Sequence, residues 1–352
     1  KIIKDNVGSN VQAFDEENIL VISTGPLTGT NAPASSRFNI STISPLTGFL
    51  TSSNCGGDFG LHLKRAGYDA LIIKNKSESP IWIEIEEDRV LFHNAEDLWG
   101  KRVSETQKSL DTKAGKVVIG PAGENLVKYA SVFSGERAAG RGGVGAVMGD
   151  KNIKAITAKG SLKPKVSDAE GTKEFYKKWI KRLRNHPLTG NQLPAFGTAG
   201  LISLMQHRNI LATKNFKYGN YHDFDKVSGE RLRKDFLVRN KGCITCPIQC
   251  GRQVEVDGRV VKGPELETLG LLGPNILNSD LELIMRWNLE LDELGMDTIS
   301  TGGTIAFAME LNEKGLWKNG LEFGKTDNLL SIFRDTAYRR GIGDELAEGT
   351  RY

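Results

Sequence analysis

The sequence predicts an α+β protein with a β-sheet-rich N-terminal part followed by a mainly α-helical part. Short apolar or alternating runs with turn signals between them fill residues 1–160, whereas residues 161–352 carry apolar side chains at helical spacing. Residues 158–168 have the lysine, proline and serine content of a linker. We therefore expect two domains, 1–160 and 161–352, which suits a chain of 352 residues.

The strands of the first domain are predicted from its apolar and alternating runs. These runs cover residues 19–23, 38–44, 70–74, 81–87, 89–93, 116–120 and 152–158. The clearest hairpin is 81–93, because the alternation reaches an acidic turn and resumes after it. Two PLTG segments, 26–29 and 45–48, are predicted to be similar turns rather than a repeat.

Two amphipathic helices are predicted in the second domain. Ser167 is the expected N-cap of the first and Ser279 of the second, since serine hydroxyls accept hydrogen bonds from free amides. The apolar face of the first helix contains Phe175, Trp179, Ile180 and Leu183. The apolar face of the second contains Leu283, Ile284, Trp287, Leu291 and Leu294.

Composition argues against several functional classes. Lys and Arg number 47 against 43 Asp and Glu, and no basic stretch is interleaved with aromatic residues, so we expect no nucleic-acid partner. No apolar run reaches the roughly 18 residues of a membrane span, and residues 1–10 lack the features of a signal peptide. A cytoplasmic protein without a membrane partner is the expectation.

The sharpest chemical signal is the C-x2-C-x3-C spacing of Cys243, Cys246 and Cys250. Cysteines this close in sequence favour a metal centre over a disulfide framework, and three thiolates beside Pro247 can hold three corners of an iron-sulfur cluster. Zinc is the alternative, although it needs four ligands and usually shows paired C-x2-C units or nearby histidines. An isolated Cys55 is either a fourth ligand or, more commonly, a buried free thiol.

A second signal is the glycine-rich run of residues 135–156, GERAAGRGGVGAVMGDKNIKAI. Its glycines let the backbone approach a bulky ligand, and Arg137 and Arg141 can donate in pairs to phosphate. The run is not a Walker loop, and we expect no strand to lead straight into it. By itself, a tight structural turn explains it equally well.

Acidic residues form the remaining candidates. Glu265 and Glu267 lie two apart in GPELE, where an extended backbone would point them in different directions. Asp292, Glu293 and Asp297 surround Gly295 at a predicted helix end that could aim carboxylates at a donor-rich ligand. Solvated surface acids are the alternative for each.

Taken together, these motifs resemble the aldehyde ferredoxin oxidoreductase family. PLTGT, SPLTGF, RAAGRGGVGAVMG, CITCPIQCGR, GPELE and DELGMDTISTGGT follow one another in the family's order over nearly the whole chain. The resemblance implies a tungsten, less often a molybdenum, held by two pyranopterin dithiolenes on the β-rich base domain. The helical domain would supply outer cofactor contacts and three cysteines of a four-iron four-sulfur cluster.

The resemblance also assigns residues around the cofactor. The backbone carbonyls of Asn54 and Ala138 match ligands of a magnesium that bridges the pterin phosphates. Gly56 and Arg137 match neighbouring cofactor contacts, and Arg37 matches an arginine between pterin and cluster.

On the helical side, Asp292 and Asp297 of DELGMD match a pterin-binding motif. Glu267 matches a glutamate beside the metal and is the expected proton-transfer group. The implied reaction is the oxidation of a small aldehyde with water to a carboxylate, with ferredoxin as the electron acceptor.

The resemblance places other parts of the site after residue 352. A third, helical domain would carry the fourth cluster cysteine, a second pterin motif and an active-site histidine, so this chain is expected to be inactive alone. Where some members bind iron at a dimer axis, this chain has residues 286–289, RWNL, and we expect no such iron; a homodimer is left open. The alternatives are a related tungsten enzyme acting on an aryl-CoA or a hydroxy acid, and a non-catalytic iron-sulfur or zinc module.

Overall fold

The computed structural model describes residues 1–351 and confirms the α+β class. The strands are β1 Leu20–Thr24, β2 Phe38–Ile43, β3 Leu50–Cys55, β4 Ala70–Ile73, β5 Ile81–Ile85, β6 Val90–Asn94, β7 Gly115–Val118, β8 Val132–Ser134, β9 Arg137–Ala139, β10 Ile153–Ala158, β11 Leu237–Lys241, β12 Gly251–Val256 and β13 Arg259–Lys262. The helices are α1 Ile2–Asn6, α2 Phe59–Arg65, α3 Val103–Ser109, α4 Pro121–Glu124, α5 Val144–Asp150, α6 Ala169–Asn185, α7 Leu193–Phe196, α8 Leu201–His207, α9 Gly229–Asp235, α10 Leu266–Leu272, α11 Leu281–Leu294, α12 Thr298–Glu313, α13 Leu329–Ala337 and α14 Ile342–Ala347.

The strands form three sheets. One is antiparallel with order β3-β2-β1-β4, and a mixed sheet has order β6-β5-β10-β7-β8-β9 with only the β10–β5 pair parallel. The third sheet, β11-β12-β13, lies among the helices of the second part. Strands β3 and β9 pack against each other, so the edges of the first two sheets meet at one place. That meeting point positions the candidate site.

Two large apolar cores hold the molecule together. The sheet core buries side chains of β1, β2, β5, β7 and β10 together with those of α2 and α5. The helical core is built mainly from α10 to α14, but Ala122, Tyr129 and Ala146 of the first part also belong to it. The tyrosine hydroxyl donates to the Leu346 carbonyl at 2.8 Å, which ties the base to the last helix. The two parts of the chain therefore share a core.

The predicted strands and helices are largely confirmed, with shifts of one or two residues at their ends. Each of the seven predicted strand runs overlaps an observed strand, and the 81–93 hairpin is β5–β6. The predicted serine caps are wrong by one position, because Asp168 caps α6 and Asp280 caps α11. A carboxylate accepts the same amide hydrogen bonds as a hydroxyl, so neighbouring Ser and Asp compete for the cap.

Several elements were missed because their sequences carry little apolar alternation. Strand β3 is LTSSNC, and β8 and β9 are three-residue strands, VFS and RAA, of a tight hairpin. The expectation that no strand leads into the glycine-rich run is therefore wrong. No helix within residues 1–351 combines the length and apolarity needed to cross a membrane.

Candidate functional site

A polar cavity of about 310 Å³ opens where β3, β9 and the amino-terminal ends of α10 and α12 meet. Its lining residues are Arg37, Ser52, Ser53, Asn54, Gly56, Arg137, Ala138, Gly140, Arg141, Lys262, Glu265, Glu267, Thr268, Asp297, Thr298 and Ile299. Seven of the residues predicted for cofactor binding or catalysis are in this wall: Arg37, Asn54, Gly56, Arg137, Ala138, Glu267 and Asp297. Segments separated by more than 200 residues are thus brought to one place.

The walls of the cavity follow from strand and helix ends. Strand β3 pairs with β2 and ends at Cys55, so Asn54 and Gly56 are at the sheet edge beside β9. Glu265 is the N-cap residue of α10, and Asp297 caps α12 by accepting hydrogen bonds from Ile299 and Ser300 amides. Two helix amino termini with their partial positive charge therefore face the cavity.

Three cations of this region form ion pairs. Arg137 donates to Glu265 at 2.9 Å, and Arg141 donates to Asp297 at 3.0 Å. The Lys262 ammonium lies 3.1 Å from Asp292. Asp292 is not in the cavity wall itself; it lies behind Lys262 at the end of α11, where Gly295 adopts the left-handed conformation at φ 82°. The two aspartates of DELGMD thus have different surroundings.

Lys262 is a functional candidate that the sequence did not single out. Burial disfavours its ammonium, but Asp292 and Glu265 more than compensate and raise the pKa of Lys262. Burial raises the pKa of the Asp292 carboxyl, and the Lys262 charge opposes this. A lysine directly before GPE gave no signal in the sequence, because only the tertiary fold places it against the Asp292 carboxylate.

Arg37 differs from the other cavity cations. Within residues 1–351 it forms no ion pair, and its guanidinium donates only a long hydrogen bond of 3.4 Å to the Asn54 carbonyl. The side chain is exposed at the cavity wall. Arg37 is therefore free to donate to a bound anion.

The glycine-rich run bends around the same cavity. Gly142 and Gly143 have φ of 82° and 72°, a backbone conformation that side chains rarely adopt. A Cβ on Gly142 would overlap the Thr51 side chain, and one on Gly143 would overlap the Lys128 carbonyl. Close packing therefore explains why these two positions are glycine. Gly140 and Arg141, which lie between β9 and Gly142, face the cavity instead.

The cysteine triad lies in the loop between β11 and β12. Thr245 and Gln249 take positive φ of 61° and 50°, which turns the loop back on itself within a few residues. A Cβ on Gly56 would be 2.9 Å from the Cys243 sulfur and 3.5 Å from the Arg137 side chain. Cys243 therefore lies directly behind the cavity wall.

All four cysteines are free thiols. Burial raises the pKa of Cys250, and the nearby Arg137 guanidinium lowers it in part. Cys55 is fully buried, and burial raises the pKa of its thiol to about 12. Within residues 1–351 no three His, Cys, Asp or Glu side chains converge closely enough to hold a single metal ion.

The expected extended backbone at GPELE is wrong. Glu265 ends the extended segment, and Glu267 is in the first turn of α10. Side chains two residues apart on a helix also point in different directions, so the two carboxylates still diverge. Both carboxylates still line the cavity. They differ in pairing, because Glu265 bonds Arg137 whereas Glu267 is exposed and forms no ion pair within residues 1–351.

Comparison with known families assigns both parts of the chain. A model of the N-terminal domain of aldehyde ferredoxin oxidoreductase matches residues 1–160, and a model of its domains 2 and 3 matches residues 174–352. The chain belongs to the aldehyde ferredoxin oxidoreductase family. The predicted resemblance is thus confirmed, and the cavity lies between segments that belong to the two matches.

Individual relatives of the family are similar over almost the whole chain. The tungsten-containing aldehyde ferredoxin oxidoreductase of Pyrococcus furiosus is 44% identical over 97% of this chain, and that of Thermococcus kodakarensis is 44% identical over 95%. A solved structure, the active-site complex BamBC of benzoyl-coenzyme A reductase with 1,5-dienoyl-CoA, matches 99% of this chain with a TM-score of 0.87 and 31% identity.

The chain is shorter than these relatives. It spans 58% of the length of the two curated relatives and 56% of the matched chain of the reductase complex. An aliphatic sulfonate oxidoreductase subunit of Pyrococcus furiosus, described as WOR-like, is also 32% identical over 97% of this chain. Members that resemble this chain thus include proteins named for different substrates.

Proposed function

We propose that this chain forms the base and middle part of a tungsten-dependent aldehyde:ferredoxin oxidoreductase, with a bis-pyranopterin metal centre seated in the cavity. The observation that carries the proposal is the meeting of the glycine-rich loop, the cysteine loop and GPELE around one polar cavity. The 44% identity to tungsten-containing aldehyde ferredoxin oxidoreductases favours the aldehyde class.

The residues around the cavity fit a ligand that carries phosphates. Arg37, Arg137, Arg141 and Lys262 supply four cations, and two helix amino termini add partial positive charge. Gly56 has no side chain between the cavity and Cys243, since a Cβ there would be 2.9 Å from the sulfur. Asn54 and Ala138 would hold the magnesium through backbone carbonyls. Asp297 would contact pterin from the cavity wall, and Asp292, which lies behind Lys262, would act on pterin through that lysine.

When bound, the metal–pterin centre and the iron-sulfur cluster would supply the two-electron oxidation and the passage of electrons to ferredoxin. The residues of this chain bind and orient. Arg141 is positioned to exchange its bond with Asp297 for one to a phosphate, because its side chain is more than half exposed. Glu265 holds Arg137 in place from the α10 cap, which leaves Glu267 to accept or donate a proton.

The first test is metal content and turnover of the full-length protein. We expect tungsten with iron in the purified protein and reduction of ferredoxin by small aldehydes. Activity with an aryl-CoA and none with aldehydes would favour the reductase alternative instead. Zinc without iron and tungsten would return the cysteine triad to a structural role.

The cysteine assignment is tested by single replacements in the full-length protein. Cys246→Ala is expected to remove the visible absorbance of a four-iron four-sulfur cluster, together with ferredoxin-linked turnover. Cys55→Ser is the matched control and should retain the cluster, because the buried Cys55 is predicted to be a free thiol. Intact absorbance in Cys246→Ala would contradict the assignment.

The cofactor loop is tested by Arg137→Ala. Loss of the guanidinium removes a phosphate donor and leaves Glu265 unpaired, so tungsten and pterin content should fall together while the protein stays folded. Full cofactor occupancy would mean that the loop is only a structural turn.

The proton-transfer assignment is tested by comparing Glu267→Gln with Glu265→Gln. A positioned acid or base contributes about 10² to 10⁴-fold in rate, so Glu267→Gln should lower turnover by that order at unchanged tungsten content. Glu265→Gln should act mildly on turnover, through its bond to Arg137. Near-normal turnover of both variants at equal tungsten occupancy would exclude Glu267 from the chemistry.

A further inference from the structure

We propose that the outward face of α6, formed by Phe175, Lys178, Trp179 and Arg182, is the docking surface for a small acidic electron-carrier protein. This rests on the proposed function, since only an enzyme that exports electrons needs such a carrier. The face is called the α6 face below.

Helix α6 has apolar side chains that nothing in residues 1–351 covers. It is 17 residues long and none of its residues is buried. Phe175 is 61% exposed and Trp179 is 38% exposed, and their rings stack with centroids 6.4 Å apart and an interplanar angle of 8°. Adjacent exposed aromatic rings are typical of protein–protein contact sites.

The charge of α6 selects the partner. The helix carries Lys173, Lys177, Lys178, Lys181, Arg182 and Arg184 against Glu170 and Glu174, which is six positive charges minus two negative charges, or +4. None of these basic side chains is in an ion pair within residues 1–351. The Arg182 guanidinium lies 5.6 Å from the centre of the Trp179 ring. Unpaired cations around an aromatic pair complement an acidic surface and speed its association.

Helix α6 is linked to the cysteine loop through residues 30–32. The Tyr176 hydroxyl is 3.0 Å from the Thr30 hydroxyl, on the inner side of the helix. Two residues after Thr30, the Ala32 carbonyl accepts a hydrogen bond of 3.1 Å from the Thr245 hydroxyl. Thr245 lies between Cys243 and Cys246 in the sequence. One short loop therefore spans from α6 to the proposed cluster ligands, so a carrier on the α6 face would be close to the electron exit.

A second copy of the chain is a poorer occupant. In a two-fold dimer the same face meets itself, which would bring two helices of charge +4 together. The acidic carrier is the occupant that neutralises the face. Coverage by another part of a longer polypeptide is decided by the test below.

The test measures binding of a recombinant acidic ferredoxin to the full-length protein by surface plasmon resonance. The variant combines Lys178→Glu with Arg182→Glu, and the control combines Lys108→Glu with Lys113→Glu, two exposed lysines near α3. We expect the α6 variant to weaken ferredoxin binding about 10-fold or more at low salt, with a smaller loss at high salt. The control should bind like the unmodified protein.

Turnover with a viologen dye in place of ferredoxin gives the second readout. The α6 variant should keep its dye-linked aldehyde oxidation and its metal content, and lose only ferredoxin-linked turnover. Unchanged ferredoxin binding in the α6 variant overturns the proposal. Loss of metal content in that variant also overturns it, because it would indicate that another part of the protein covers the α6 face. If the unmodified protein oxidises no aldehyde, the proposed function fails, while the binding measurement still decides the docking surface.

Discussion

Helices α6 and α11 have similar sequence patterns, but α6 is exposed in the structure whereas α11 is largely buried. Each begins after an aspartate that caps the amino terminus, and each carries a tryptophan in an apolar stripe. Trp287 of α11 is fully buried and packs edge-to-face on Phe333, whereas Trp179 of α6 is partly exposed and stacks on another exposed ring. An amphipathic pattern therefore identifies an apolar face without identifying its partner.

The charge patterns of the two helices separate them better than their apolar patterns do. Glu290 of α11 accepts hydrogen bonds from Arg102 at 2.9 Å and from Arg334 at 2.6 Å, and the Arg102 bond joins the sheet-rich first part of the chain to the helical part. The basic residues of α6 have no such partners within residues 1–351. Charges that are paired inside the molecule hold it together, while unpaired ones are free for another molecule.

The largest expected difference between the helices is in the removal of their tryptophans. Trp287→Ala should lower the free energy of unfolding by about 3 to 5 kcal/mol, because it leaves a cavity in the helical core. Urea unfolding followed by circular dichroism measures this, with Trp287→Phe as the milder control. A loss below about 1 kcal/mol, the range of ordinary surface changes, would break the contrast between the helices.

Acidic pH should weaken α11 through Glu290. Burial alone would raise its pKa, but the hydrogen bonds and charges of Arg102 and Arg334 hold the pKa of the Glu290 carboxyl below its ordinary value. A lowered pKa in the folded state stabilises the protein above the ordinary carboxyl pKa, and this contribution is lost as pH falls through the lowered value.

Glu290→Gln measures that contribution. At neutral pH the variant should lose about 1.5 to 3 kcal/mol, the usual range for hydrogen bonds to a charged group. The gap to the unmodified protein should shrink as the pH is lowered, and a gap that stays constant with pH would contradict the assignment. Glu174→Gln on α6 is the matched control and should have little effect at any pH.

Removing the N-cap aspartate should also affect the two helices differently. Asp280 accepts from the Leu283 amide at 3.0 Å and Asp168 from the Gly171 amide at 2.9 Å. Asp280→Ala should lower the free energy of unfolding by about 1 kcal/mol. Asp168→Ala should instead speed hydrogen exchange only in the first turn of α6, because that helix can fray without opening a core. Equal losses in the free energy of global unfolding for the two variants would mean that both helices fold together with the core.

The smallest expected effect is that of Trp179→Ala on stability. A surface substitution usually changes the free energy of unfolding by less than about 0.5 kcal/mol, and α6, which carries Trp179, has no buried residue. A loss above about 2 kcal/mol in the full-length protein would mean that another part of the polypeptide covers the α6 face, and the comparison with α11 would then fail.

For the fold, the sequence by itself determined the class, most strands of the first part and the helices α6 and α11, but not the 16-residue helix α12. Their apolar spacing is a local property, so it can be read without the structure. The strands LTSSNC and RAA escaped prediction because their residues are mostly small or polar and show little apolar alternation. Each pairs with the strand just before it in the chain, β3 with β2 and β9 with β8, but the apolar pattern does not reveal this.

For the site, the residues matched by motif could be named from the sequence, but which of them contact each other could not. Only the tertiary structure decided that Lys262 faces Asp292, that Glu265 rather than Glu267 bonds Arg137, and that Cys243 lies behind Gly56. It also decided that the apolar face of α6 stays open while that of α11 is buried. The physical reason is that spacing fixes which side chains share a face, whereas burial and charge pairing are set by segments far apart in the chain.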